Sequence, residues 1–259
     1  MNVTRKVARV ELIPVQLPLV RPGQSLQLIL QHTLLGRGFN LRRGDVVCVA
    51  SKVVSTSEGR IVFLSQQHVS RKARNYAGRF RFDPALAQVV VNEADAILGG
   101  VKGFLLTIKS GILSANAGVD VKNSPRGTAT LWPADPDKSA NVLRHSLETK
   151  YGTRIGVLIV DSRVTPLRLG TTGLALGSSG FSPIRDDRGK TDLYDRTVKV
   201  TQTNVADDLA ASAHLLMSER DERIGLVIVR NAPVLMKANA SSNLKLAVRK
   251  CLVSSVLVG

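Results

Sequence analysis

Two short stretches carry the residues best suited to chemistry. Asp161 and Ser162 follow the apolar run Gly156-Val-Leu-Ile-Val160. The carboxyl end of a buried strand commonly presents ligands to a crevice. A carboxylate beside a hydroxyl offers hard oxygen donors suited to Mg2+ or Mn2+. An isolated Asp-Ser pair is also ordinary material for a helix cap or a turn. The second stretch, Asn116-Ala-Gly-Val-Asp120-Val-Lys-Asn123, sets small residues just before a carboxylate, with an amide three residues on. Small residues let the backbone approach a ligand closely. Asp120 could then supply a second carboxylate, and Asn123 could hydrogen-bond a phosphate, although an Asx-rich turn explains the same residues.

Cations and glycines gather next to these carboxylates. Arg168, Arg185, Arg188 and Lys190 are interleaved with Gly170, Gly173, Gly177, Gly180 and Gly189. Glycines free backbone N–H groups to face phosphate oxygens, and guanidinium forks bind phosphate or carboxylate at two points. That combination suits a triphosphate and acidic substrates. No Gly-x-x-x-x-Gly-Lys-Ser/Thr loop occurs, so any triphosphate must be held without a P-loop.

The elements that would position these residues alternate. Val10–Val15 reads as a first strand, and Ser25 caps a helix reaching Leu35. The apolar run Val46–Ala50 reads as a buried strand ending at Ser51-Lys52. Pro84–Ala96 is expected to be helical behind the cap Asp83, with strands at Phe104–Ile108 and Ile112–Ala115. A helix over Pro136–Tyr151, capped by Asp135 and stopped at Gly152, feeds the strand Gly156–Val160. Lys199–Gln202 should lead into a helix over Ala206–Met217, followed by a strand at Leu226–Val229. These patterns predict mixed strands and helices without repeats or linkers.

Bulk properties narrow the classes. The 259 residues are 44% apolar, enough for a substantial core. The longest apolar runs fall far short of the ~20 residues needed to span a bilayer, and no signal-peptide pattern develops, so a cytoplasmic protein is expected. Cys48 and Cys251 lie among valines and leucines and read as free, inert thiols. His32, His68, His145 and His214 are scattered, which gives zinc little support. Thirty-six Lys and Arg against 20 Asp and Glu give a net charge of +16, which attracts polyanions. The cluster Arg71-Lys72-Ala-Arg74 through Arg79-Phe-Arg81, with Tyr76 and Phe80, could face nucleic acid. With 4% aromatics and no recognised nucleic-acid signature, it reads better as a solvated helix face.

The blocks Ala115–Asn123, Asp161–Gly170, Pro183–Tyr194 and Val200–Ala213, with Glu11–Pro14 and Ser51–Gly59 near the start, resemble in order those of the coenzyme F420-0:L-glutamate ligase family. The resemblance covers roughly residues 10 to 230. It implies an α+β, mixed-sheet gamma-glutamyl ligase-like fold at 8–230, paired intimately as a homodimer, with 231–259 as a C-terminal extension. It implies GTP-dependent addition of L-glutamate to coenzyme F420-0 through an acyl phosphate, followed by further gamma-linked glutamates. By the same resemblance, Asp120 and Asp161 would hold one Mg2+ or Mn2+, while Ser162 and Gln202 would help to hold a second. K+ would be a further ion. Leu17, Pro18, Leu19, Val20, Ser51, Lys52, Asn123, Val200, Thr201, Thr203, Asn204 and Asp207 would contact the nucleotide, and Arg168 would join Asp120 and Asp161 in catalysis. Gly173 stands where the family often has aspartate, and Asp195 and Asn231 stand where it often has glycine. A nucleic-acid-binding protein, or a catalytically silent nucleotide-binding paralogue on the same scaffold, is the alternative expectation.

Overall fold

The run Val46–Ala50 (β2) has a neighbour on each side, which explains its unbroken apolar character. The computed structural model describes residues 9–217, 222–238, 244–247 and 250–253. In chain order the strands are β1 (Glu11–Val15), β2, β3 (Ile61–Phe63), β4 (Ala96–Val101), β5 (Phe104–Lys109), β6 (Ile112–Ala115), β7 (Thr128–Thr130), β8 (Gly156–Val164), β9 (Thr171–Ser179), β10 (Ile184–Asp186), β11 (Gln202–Asn204) and β12 (Leu226–Arg230). The helices are α1 (Leu26–Gly36), α2 (Ser51–Ser57), α3 (Arg71–Phe80), α4 (Pro84–Glu93), α5 (Pro136–Tyr151) and α6 (Val205–His214).

The central sheet runs β1-β12-β2-β8-β9; only β2 and β8 are parallel. It is therefore mixed, as the α+β expectation required. Alternation along its strands builds two cores. Val47, Val49, Val157, Ile159, Leu226 and Ile228 join α1 and α5 on one face. Val46, Cys48, Leu158, Val160, Val227 and Val229 meet α6 on the other. Burial pushes the Cys48 thiol far above its ordinary pKa, which keeps it inert. Cys251 is half-buried.

A second unit, residues 61 to 131, pairs β3 with β7 and β4-β5-β6 in a meander. It packs α3 and α4 over Phe80, Val89, Val90, Leu105, Val119 and Leu131. The basic cluster lies along α3, whose Ala73, Ala77 and Phe80 are buried while Arg71, Lys72, Arg74 and Arg79 are exposed. That is the amphipathic face the spacing predicted.

Several boundaries differ from the sequence expectations. Helix α5 matches, with Asp135 accepting from Lys138 N at 3.0 Å and Gly152 left-handed. Strand β8, however, continues to Val164 because β9 pairs with it through Thr171, so Asp161 and Ser162 lie inside the strand rather than after it. Helix α4 stops at Glu93, where the chain turns into β4. Helix α6 runs Val205–His214, capped by Asn204, and β11 begins at Gln202. Beyond β12 the chain crosses the second core: Ser182 N donates to Leu235 O at 2.8 Å, and Val234 and Met236 pack beneath. Among the described residues no helix is long and apolar enough to cross a membrane.

Candidate active site

Strand register sets the first pair. Ala50 of β2 lies in parallel register with Val160 of β8. Of their successors, Ser51 leaves the sheet while Asp161 stays in β8 opposite Leu174, and the Ser51 hydroxyl hydrogen-bonds the Asp161 carboxylate. Helix α2 begins at Ser51 with no intervening loop. Asp161 continues the Val157, Ile159 face of β8, so it points toward Trp132, whose indole Nε1–H donates to Asp161 Oδ2. Asp161 as a residue is half-buried, yet its carboxyl is desolvated enough to push its pKa up; hydrogen bonds from the Ser162 backbone, Trp132 and Ser51, and the Lys52 charge, pull it down without cancelling the rise. A further cation beside Asp161 would offset that cost.

Lys52 ties in the second carboxylate. Its ammonium lies 2.5 Å from Asp120 Oδ2 and also donates to the Lys122 carbonyl. Asp120 is held by a bridge to Thr130, with N···O distances of 3.0 and 2.8 Å, and its Oδ1 accepts from Lys122 N at 2.8 Å. The Lys52 and Asp120 side chains are 27% and 48% exposed, so the constellation opens to solvent. Four segments thus converge: the α2 start, the Asp120 loop, the exit from β7 and β8.

The donor set suits one hard divalent cation. Asp120, Asp161, the Ser51 hydroxyl and the Lys122 carbonyl all offer oxygen, and the Lys52 ammonium already rests against two of those groups as a stand-in cation. Among the described residues no group of three or more His, Cys, Asp or Glu side chains gathers, so water or substrate oxygens would complete the shell, as Mg2+ usually allows.

Other predicted residues lie elsewhere. Ser162 pairs with Gly173, at which a Cβ would stand 2.2 Å from the Ala210 carbonyl of α6, so Ser162 faces α6, opposite to Asp161. Gln202 sits in the β10–β11 ribbon, and its amide donates to Asp186 at 3.3 Å. Asn204 and Asp207 anchor α6: Asn204 Oδ1 accepts from Asp207 N at 3.0 Å, and Asp207 Oδ1 accepts from Ala175 N at 2.9 Å. Thr203 accepts from Arg185 at 3.1 Å, and Thr201 and Val200 are exposed. Leu17 and Pro18 line an open cleft of about 310 Å³ with His32, Arg37 and Arg223; Leu19 is exposed and Val20 buried. Asn123 is left-handed in the loop after Asp120.

Arg168 occupies the exposed turn between β8 and β9, outside the constellation. Arg188 pairs with Asp186, whose carboxyl its hydrogen bonds hold down to about 2. Arg185 and Lys190 both pair with Asp187. Sequence reasoning did not single out Trp132. Its only signal was being the sole tryptophan of an aromatic-poor chain, lying between the two carboxylates.

The F420-0:Gamma-glutamyl ligase family model matches residues 14–231, spanning every segment of the constellation. The chain is 38% identical to the coenzyme F420:L-glutamate ligase of Methanopyrus kandleri over 86% of each chain. It is 37% identical to that of Archaeoglobus fulgidus over 87% of this chain and 89% of the relative. The corresponding figure for the ligase of Methanothermobacter thermautotrophicus is 36%, over 84% and 86%. A match of this length, running through the Ser51, Asp120 and Asp161 segments alike, makes this chain a member of the F420-0:Gamma-glutamyl ligase family.

Proposed function

We propose that this protein joins L-glutamate to coenzyme F420-0 through an amide bond, using GTP to activate the acceptor carboxylate. The observation that carries the reading is the convergence of Ser51, Lys52, Asp120 and Asp161 at the end of β2 and beside β8. Support also comes from the relatives, each named a coenzyme F420:L-glutamate ligase. In this reading the acceptor carboxylate attacks the γ-phosphorus of GTP, giving an acyl phosphate and GDP. The glutamate amine then attacks the acyl carbon, phosphate leaves, and the amine proton passes to solvent.

Positioning and charge neutralisation carry most of phosphoryl transfer. Asp120 and Asp161 would hold Mg2+ or Mn2+, which would supply charge neutralisation at the phosphate oxygens. Lys52, leaving Asp120 for the incoming triphosphate, gives a mobile cation to the transferred group. Ser51 and Trp132 keep the Asp161 carboxylate oriented. The net charge of +16 favours encounter with three anionic substrates.

The reading includes a homodimer. Leu167 and Leu169 at the β8–β9 turn, and Leu193, Tyr194 and Val200 around the β10–β11 ribbon, are exposed apolar side chains. A second copy would cover them and change the surroundings of Arg168.

Incubation with F420-0, L-glutamate, GTP and Mg2+ or Mn2+, followed by mass spectrometry, tests the activity. Glutamate-sized increments with matching phosphate release are expected. Phosphate release and mass both unchanged would remove the reading.

A further inference from the structure

Trp132 touches both carboxylate segments. Its Nε1–H donates to Asp161 Oδ2. The same edge of the indole lies against Gly118, where a Cβ would stand 2.1 Å from Trp132 Cε2 and 2.1 Å from Nε1. Gly118 is two residues ahead of Asp120 and holds a left-handed φ of 71°. From the other side, Trp132 lies two residues past Thr130, the bridge partner of Asp120. The ring is 5% exposed, and its carbonyl accepts from Arg60 Nε at 3.1 Å, so it has little freedom to tilt.

We propose that Trp132 is a positioning residue that sets the separation and orientation of Asp120 and Asp161 for a shared divalent cation. An indole N–H can only donate, so it engages the carboxylate without competing as a cation ligand. Partners that orient a metal's ligands in this way are worth about 10- to 100-fold in metal affinity. Glycine at 118 is the matching device, because any larger residue there would displace the ring. The inference rests on the cation role proposed for Asp120 and Asp161.

Trp132 is the sole tryptophan, so its fluorescence reports the centre without labelling. Mn2+ titrated into the full-length protein, followed in parallel by calorimetry and by tryptophan emission, should give one shared midpoint, with quenching lost in Asp161→Asn. In Trp132→Phe, calorimetric Mn2+ affinity should fall about 10- to 100-fold. Under turnover, the Mn2+ concentration for half-maximal activity should rise while the KM for glutamate stays unchanged. A purely structural tryptophan would not produce that split. Calorimetric binding that Asp161→Asn abolishes, with Trp emission unmoved or Trp132→Phe affinity unchanged, overturns the positioning role alone. No calorimetric binding in the wild type overturns the cation reading and this inference together. Unmoved wild-type emission would overturn the role even if Trp132→Phe does not fold.

Discussion

Lys52 and Asp120, 68 residues apart in the chain, meet at 2.5 Å, and their contact joins the first turn of α2 to the loop that follows the β4-β5-β6 meander. The ammonium is the resting counter-ion of a carboxylate that the proposed function needs for another cation.

Asp161→Asn should lower kcat/KM by roughly 10²- to 10³-fold, the scale of losing several kcal/mol of charge stabilisation. Its metal-free stability should not fall, because burial raises the Asp161 pKa and the ionised form therefore opposes folding. The sign gives a pH signature. The deficit of the wild type relative to Asp161→Asn is full above the raised folded pKa. It fades as pH falls through that value toward the unfolded value near ~4. Urea unfolding of both proteins across this range checks it; a wild type more stable than the variant at neutral pH would contradict the assignment.

Lys52→Met should change stability by less than about 1 kcal/mol, since the pair is solvent-accessible. Removal of the ammonium takes the competing cation away from Asp120 Oδ2, so the nucleotide-free variant should bind Mn2+ more tightly than the wild type while turning over more slowly. Weaker Mn2+ binding by calorimetry would argue against a competing ammonium.

Asp45→Ala should destabilise by about 3 to 5 kcal/mol, the range for stranding one member of a buried ion pair. Asp45 is 1% exposed and receives Arg230 Nε at 3.2 Å and Nη2 at 3.0 Å, plus Arg42 N at 2.9 Å. The pair locks β12 to the turn before β2. Equilibrium denaturation gives the value, and a loss below ~1 kcal/mol would mean the pair is hydrated.

Gly173→Ala should cost about 1 to 3 kcal/mol, since the new Cβ would press on the Ala210 backbone, which cannot rotate away. Thermal unfolding should show the loss. An unchanged melting temperature would mean that α6 shifts freely on β9.

Legibility in the sequence followed the range of the interactions. Helix α5 and the five apolar residues opening β8 are set by local caps and by burial on both faces, and both matched. The extension of β8 past Asp161 depends on β9, whose pairing is not encoded in the β8 segment itself. Asp195 and Asn231, where the resemblance raised an expectation of glycine, each hold a left-handed φ of 56°, the conformation glycine adopts most easily and asparagine and aspartate tolerate best. The site divided the same way. Asp120 and Asp161 were visible as carboxylates beside small or apolar residues. The Trp132 donor and the Lys52 ammonium depend on contacts 29 and 68 residues away, which no spacing rule reaches.

The direct passage from β2 into α2 at Ala50-Ser51 leaves no spare chain on that side of the centre. Ser51 follows β2 and Asp161 follows the buried run Gly156–Val160 of β8, two parallel strands paired inside the central sheet, so this wall behaves as an anvil. The opposite wall, Asp120 to Gly127, is an exposed loop with left-handed Asn123 and Gly127. Adaptation to acceptors of different length is therefore expected to accumulate in residues 121–127, where change leaves the sheet undisturbed, while the strand-borne wall stays constant from one acceptor to the next.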